Sequence, residues 1–209
     1  MTDAPYDAWL VDLDGTLYRA RWVKLGMALE LGLFGWSAVS TLRQFRHDHE
    51  ALREEVAAGN ALSIDHPSPF AAQLARSAEA LRLPVAQVEE TVQDWMFVRP
   101  GKWIRRFPRS SLLAELRAFK AKGGRTALVS DYPAERKVAA LGARELFEVV
   151  VANGEQHGPR RLKPDPEGYL RAAELLQVPP ARCLVIGDRD DADGQAARAA
   201  NMGFRLVRA

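Results

Sequence analysis

The stretch Tyr6-Asp7-Ala8-Trp9-Leu10-Val11-Asp12-Leu13-Asp14-Gly15-Thr16 decides how this chain is read. Within 6–14 a short apolar run gives way to carboxylates and then to a glycine, the pattern of a buried strand that ends at a sharp turn. Two other apolar runs break off in the same manner, 126–130 into Ser130-Asp131 and 183–187 into Gly187-Asp188. Open parallel sheets bind ligands just beyond the carboxyl ends of their strands. The three polar endings are therefore expected to meet in one crevice.

Outward from that stretch, strand signals recur at 147–152 and 204–207. Helical patterns fill the gaps at 111–122, 133–141, 165–176 and 194–202, with Gly123-Gly124, Gly142 and Gly203 as stops. Alternation of strand and helix predicts a parallel sheet with helices on both faces. Residues 18–108 differ, showing helical periodicity and almost no strand signal. Gly59-Asn60, Pro67-Ser68-Pro69 and Pro84 divide that block into four expected helices. A crossover between parallel strands needs only about a dozen residues, so the block reads as an all-helical cap, 18–108, inserted into an α/β core of 1–17 and 109–209.

The bulk composition excludes some classes. Lys and Arg number 29 against 27 Asp and Glu, a net charge of +2 among 209 residues, which argues against a nucleic-acid partner. The one cysteine, Cys183, rules out an internal disulfide, lies in an apolar run and suits a reducing compartment. Residues 1–7 carry no basic and then apolar leader pattern, so the cytoplasm is the expected location.

The strand-end residues have a common chemistry. Gly15-Thr16 implies a tight turn after Asp12 and Asp14 that frees backbone N–H groups to meet an anion. A carboxylate attacks phosphorus only when a cation offsets the repulsion, and Mg²⁺, hard and oxygen-seeking, is the natural one. Asp188 and Asp193, with Asp190 and Asp191 beside them, extend the acidic set. Ser130 reads either as a helix cap or as a donor to a phosphoryl oxygen, joined by the N–H groups of Asp131 and Tyr132. Lys163, stiffened by Pro164 and Pro166, would offset the negative charge of an aspartate forced against a phosphate.

Asp12-Leu13-Asp14-Gly15-Thr16-Leu17, Ser130, Lys163-Pro164-Asp165-Pro166 and Gly187-Asp188-Arg189-Asp190-Asp191-Ala192-Asp193 resemble, in order, the four motifs of the haloacid dehalogenase superfamily. The resemblance implies a Rossmann-like doubly wound core with the helical cap of the first subclass. It also implies a Mg²⁺-dependent phosphatase working through an aspartyl-phosphate. By that likeness Asp12 is the nucleophile and Asp14 the general acid and then base. The metal ligands would be Asp12, the backbone carbonyl of Asp14, Asp188 and Asp193, with Asp191 as the rival of Asp193. Ser130 and Lys163 would bind the phosphoryl group, helped by Gly15, Thr16 and Asp131. Asp131 departs from the asparagine frequent in relatives. Asp14 favours phosphatase or phosphomutase over dehalogenase, because a halide leaving group needs no acid.

In the expected cap, Arg19 and Arg21 are read as contacts to the substrate's leaving group. His47-Asp48-His49 is read as solvated, since i and i+2 do not share a helix face, and Lys24 as an ordinary lysine rather than a Schiff-base residue. The apolar run 25–39 is read first as a buried cap helix or a homodimer contact. An apolar substrate pocket, a lipid-linked phosphate or a membrane-surface contact aided by the basic, aromatic run 102–107 stand as alternatives. A phosphomutase, a receiver-like signalling domain and a non-catalytic binding protein are the rival functions.

Overall fold

The computed structural model describes residues 6–58 and 66–208. Five parallel strands, β1 (Ala8–Val11), β2 (Arg125–Ser130), β3 (Val149–Ala152), β4 (Cys183–Gly187) and β5 (Gly203–Leu206), form one sheet in the order β3-β2-β1-β4-β5. The chain builds outward from β1 to β2 and β3, then crosses back to lay β4 against the other side of β1. That reversal beside β1 is where such sheets open a crevice.

Alternation along the strands sorts the core into two layers. Val11, Leu128, Val150 and Ile186 face one side, under α6 (Ser110–Ala121) and α7 (Glu135–Ala140). Leu10, Ala127, Val129, Val151, Cys183 and Val185 face the other, under α8 (Glu167–Leu175) and α9 (Gln195–Ala199). Cys183 is thus a core residue, as expected.

Between β1 and α6 the chain forms α1 (Ala20–Phe34), α2 (Val39–Ala57), α3 (Pro69–Leu81), α4 (Val85–Val92) and α5 (Pro100–Arg106), with a π turn over Gln93–Val98. Ser68 starts α3 by accepting the Ala71 N–H at 3.2 Å, and Pro69 supplies a preset first position. The insert leaves and returns at one point: Tyr18 pairs with Pro108, the Arg19 N–H bonds Phe107 O at 2.9 Å and the Arg109 N–H bonds Leu17 O at 2.9 Å. Val23 of α1 and Ile104 of α5 join the layer beneath α6 and α7. α2, α3 and α4 enclose a cluster of their own around Phe45, Phe70, Val88, Val92 and Phe97.

Several expectations need correction. Among the described residues the insert holds five α-helices rather than the four expected, with unforeseen divisions at Gly35 and at Pro100; the break expected at Gly59-Asn60 lies outside the described residues. α8 begins at Glu167, as Pro164 and Pro166 delay it, and the helix expected over 194–202 is only Gln195–Ala199, preceded by a π turn over Asp190–Gly194. The run 25–39 is not a buried helix: in α1 only Val23 and Gly26 are buried. His47-Asp48-His49 is not solvated throughout, because Asp48 and His49 are buried between α2 and α3 while His47 is exposed. Ser77 Oγ donates to Asp48 at 2.6 Å and the His49 ring meets Gln73 at 3.3 Å, giving both buried groups partners across the helix pair.

Candidate active site

Register brings the strand ends level. Val11 of β1 lies beside Leu128 of β2 and Ile186 of β4, so Asp12 leaves β1 level with Val129 and Gly187, which still pair with β3 and β5. Ser130 and Asp188 follow one step later. The Asp12 N–H still bonds Ile186 O at 2.9 Å, which anchors the turn to β4. Gly15 then takes φ +99°, and a Cβ at that position would lie 2.0 Å from Asp188 Oδ2, so glycine is what lets this carboxylate close on the turn.

Lys163 reaches the crevice from the loop after β3. Its Nζ donates to Asp12 Oδ1 at 2.6 Å, Asp193 Oδ1 at 2.8 Å and Val129 O at 3.2 Å, and the side chains of Lys163, Asp12 and Asp193 are all buried. Thr16 Oγ1 donates to the other Asp12 oxygen at 2.9 Å, and Tyr169 OH of α8 to Asp193 at 2.7 Å. Burial would lower the Lys163 ammonium, but the charges of Asp12 and Asp193 outweigh it and hold the lysine protonated.

Asp12, Asp188 and Asp193 each present an oxygen within 4.8 Å of the others. Burial pushes the Asp12 carboxyl up to about 8, against the pull of Lys163 and with the charge of Asp193 adding to the rise; burial and Asp193 also raise Asp188. One ammonium does not balance three carboxylates there. An all-oxygen donor set with surplus negative charge fits a hard divalent cation.

Asp14 leaves the turn in another direction. Lys137 of α7 donates to both its oxygens, at 2.8 and 2.7 Å, and Tyr18 OH donates to Oδ1. Burial raises this carboxyl, but the charge and hydrogen bonds of Lys137, with the bond from Tyr18, prevail and hold it below the usual carboxylate range. The Lys137 ammonium also lies 5.3 Å from the Phe97 ring and 5.8 Å from the Tyr132 ring, and so borders the insert.

Of the residues singled out in the sequence, Asp12, Thr16, Lys163, Asp188 and Asp193 converge, and Gly15 makes room for them. Asp191 stands outside, paired with Arg189 at 2.5 Å. Ser130 is buried at the end of β2, its hydroxyl accepting the Tyr132 N–H at 3.2 Å. Asp131, the departure from asparagine, turns its carboxylate to the backbone N–H of Lys163 at 3.1 Å and so fixes the lysine loop. Arg19 and Arg21 are exposed, and Arg21 lies over the Trp22 ring at 5.7 Å rather than against the acidic cluster.

Lys137, Tyr18, Tyr169, Asn153 and Arg53 escaped the sequence reading. Only Tyr18, four residues beyond Asp14, carried a local signal. Asn153 accepts the Phe70 N–H at 3.0 Å and donates to Asp131 O at 3.1 Å. Arg53 of α2 donates to Lys163 O at 3.0 Å. These two side chains tie the insert to the loops that carry the site.

A sequence model of the haloacid dehalogenase-like hydrolase family matches residues 6–201. The chain is 29% identical over 196 residues to a validoxylamine A 7'-phosphate phosphatase of Streptomyces hygroscopicus subsp. limoneus, covering 88% of this chain and 77% of that one. It is 38% identical over 96 residues to a phosphoglycolate phosphatase of Thiobacillus denitrificans, covering 44% of this chain. A chloroplastic 5-amino-6-(5-phospho-D-ribitylamino)uracil phosphatase of Arabidopsis thaliana is 43% identical over 65 residues, or 30% of this chain. The aligned regions span only 40% and 17% of those last two relatives. Among solved structures, L-2-haloacid dehalogenase of Xanthobacter autotrophicus superposes with a TM-score of 0.64 at 18% identity, covering 97% of this chain and 77% of that one. The HAD-hydrolase YfnB of Bacillus subtilis, solved with magnesium, gives 0.63 at 16% identity, covering 98% and 89%. The family match takes in every group from Asp12 to Asp193, and the chain belongs to the haloacid dehalogenase-like hydrolases.

Proposed function

We propose that this hydrolase is a Mg²⁺-dependent phosphatase that cleaves a small phosphate monoester through an aspartyl-phosphate on Asp12. The observation that carries the reading is Lys163 Nζ, bonded at once to Asp12 and Asp193 inside a cluster of carboxylates. Such an arrangement keeps a buried aspartate available beside fixed positive charge. The relatives named as phosphatases support it, as does the presence of Asp14.

In the first step an Asp12 oxygen attacks phosphorus and the bond from phosphorus to the ester oxygen breaks; Asp14, ionised in the free site, takes up a proton when the charge of the bound phosphate lies beside it and gives that proton to the ester oxygen. In the second, Asp14, now a carboxylate, takes a proton from water as the water oxygen attacks phosphorus; the bond to Asp12 breaks and inorganic phosphate leaves. Lys163, the Ser130 hydroxyl and the N–H groups after Asp14 and Ser130 hold the phosphoryl oxygens through both steps. Asp12, Asp188, Asp193 and the Asp14 carbonyl would hold Mg²⁺, whose charge would offset repulsion between carboxylate and ester. The insert, 18–108, serves as the cap that keeps bulk water from the intermediate, with Arg53 and Asn153 as its ties. The lone buried Cys183 suits a reducing compartment, and the cytoplasm is the one we assign.

The test is release of inorganic phosphate from an aryl phosphate with Mg²⁺ present. Asp12→Asn should lower it by about 10³-fold or more while the fold persists. Calorimetry should show Mg²⁺ binding that weakens in Asp188→Asn. Undiminished phosphate release by Asp12→Asn would overturn the mechanism.

A further inference from the structure

α1 is amphipathic in the wrong sense for a helix that only packs on its own chain. Trp22, Leu25, Leu29, Leu33 and Trp36 follow one another at intervals of three or four residues, and with Phe34 they form a stripe that is between 42% and 77% exposed. The opposite face of the helix is the one that packs. Gly26 abuts the Trp103 ring of α5, and Val23 is buried. Glu30, the one acid of α1, is tucked against α5, where Lys102 Nζ meets it at 2.8 Å and Trp103 Nε1 donates to it. No acid of α1 is left on the apolar side.

Charge around the stripe is just as lopsided. Residues 19–47 and 99–109 hold ten of the chain's 29 basic side chains and one of its 27 acids, Glu30; of the ten, Lys102 pairs with Glu30, Arg99 with Asp94, and Arg109 bonds the Gly15 carbonyl. Arg21, Lys24, Arg105 and Arg106 are exposed, and Arg21 lies over the Trp22 ring at the edge of the stripe. Just beyond α1, between the Trp36 turn, α2 and the end of α3, a cleft of about 560 Å³ opens, walled by Trp36, Val39 and Leu81 with Arg43 and His47 beside them, so apolar wall and cation adjoin there too. The near-neutral total of the chain conceals an apolar face flanked by the exposed cations Arg21, Lys24, Arg105 and Arg106.

We propose that this face docks on an anionic lipid surface, with α1 lying in the plane of the headgroups. Exposed aromatic and leucine side chains with lysine and arginine at the flank are what an interfacial helix presents to acyl chains and to acidic headgroups. A second copy of the chain is a poorer occupant, because a symmetric contact would bring two such basic faces together. Spanning is not what the geometry offers: among the described residues no single helix is long and apolar enough to cross a membrane, and the helices Ala20–Phe34 and Trp36–Glu55 meet at a bend of 109°. The proposal is independent of the phosphatase reading, since it rests on no residue of the crevice.

Flotation with phosphatidylcholine vesicles, with and without about one-third phosphatidylglycerol, tests it in about 50 mM salt. The chain should float with the anionic vesicles and stay behind with the neutral ones, and the fluorescence of its exposed Trp22 and Trp36 should shift to the blue on binding. Leu33→Glu with Phe34→Glu, and separately Lys24→Glu with Arg105→Glu, should each weaken the partition by about tenfold or more, with turnover of a soluble aryl phosphate unchanged. All four positions are exposed, so the variants should fold. Equal binding to both vesicle types, no binding to either, or insensitivity to both double variants overturns the proposal. So does a lipid-free dimer that Leu33→Glu with Phe34→Glu converts to monomer, which would make the face a subunit interface.

Discussion

Along β1 and β4 every side chain is apolar, and charge begins only where each strand stops. In the insert, α2 and α3 bury Asp48, His49, Gln73 and Ser77 between them, and α1 turns tryptophan and leucine outward. The sheet thus uses apolar burial for stability and places its polar groups at one rim, where ligands bind. The insert keeps a hydrogen-bonded polar seam inside. Such a seam contributes little net stability, because desolvation nearly cancels its bonds, but it admits few alternative packings. Arg53, on the same helix as Asp48 and His49, bonds the Lys163 carbonyl at 3.0 Å. A seam that fixes α2 on α3 therefore also fixes Arg53 over the site.

The largest effect should come from the rim. Gly15→Ala adds a Cβ 2.0 Å from Asp188 Oδ2 at a backbone angle, φ +99°, that alanine resists. The turn or the carboxylate has to move, and kcat/KM for an aryl phosphate should fall by about 10²-fold or more, ~2.7 kcal/mol. The melting temperature should fall by only a few degrees, about 1–3 kcal/mol of strain. Turnover near that of the unaltered chain would show that Asp188 is not held against the turn.

Lys137 sits on the border between the two regions, bonded to Asp14 on one side and facing Phe97 and Tyr132 on the other. Lys137→Met leaves Asp14 with Tyr18 alone. We expect kcat to fall by about tenfold or more with KM nearly unchanged, and Lys137→Arg to recover part of the loss. A matched loss in KM would instead mark Lys137 as a binding group for the ester.

The contrast between regions also explains what the sequence disclosed. Asp12, Gly15 and Asp188 were legible because a parallel sheet brings local strand-end signals to one shared place, and Lys163 because its prolines mark the loop that follows β3. Lys137 and Tyr169 were not, because each sits on a helix surface among ordinary residues and gains meaning only from contacts more than twenty residues away. The triplet 47–49 misled for a similar reason: spacing along one helix shows which residues share a face, not that α3 will cover that face with Gln73 and Ser77. For the run 25–39, composition established apolarity but could not tell inside from outside. Burial of one side of α1 followed from α5, whose Trp103 lies 73 residues beyond Glu30; α5 takes Gly26 and Glu30 and leaves the leucines out.

Removing a partner from the polar seam should cost stability with the crevice intact. Asp48 accepts from Ser77 Oγ at 2.6 Å and from Gln44 Nε2 at 2.9 Å. Asp48→Ala strands a buried hydroxyl, and the loss should be about 2 kcal/mol, read as a fall of about 2–4 °C per kcal/mol in melting temperature for a chain of this size. If the variant melts with the unaltered chain, the seam has room to repack and does not fix α2.

The smallest effect separates the two regions by pH. Burial holds the His49 imidazole below its usual value, against the raising influence of Asp131, Glu50 and the bond to Gln73, with Arg53 helping to lower it. Its ring stacks on Tyr132 at 4.2 Å, so protonation in place would put a charge into an apolar contact. The unfolded chain takes up this proton near pH 6.5 while the folded chain still refuses it, so the unfolded state binds more protons and stability falls as pH drops below that point. His49→Gln keeps a partner for Gln73 and titrates nowhere in this range. Its unfolding free energy, measured in urea from about pH 7.5 to about 5.5, should therefore decline less steeply than that of the unaltered chain. Equal slopes would mean that His49 is protonated in the folded insert, and the apolar contact with Tyr132 would then have to open whenever the pH falls.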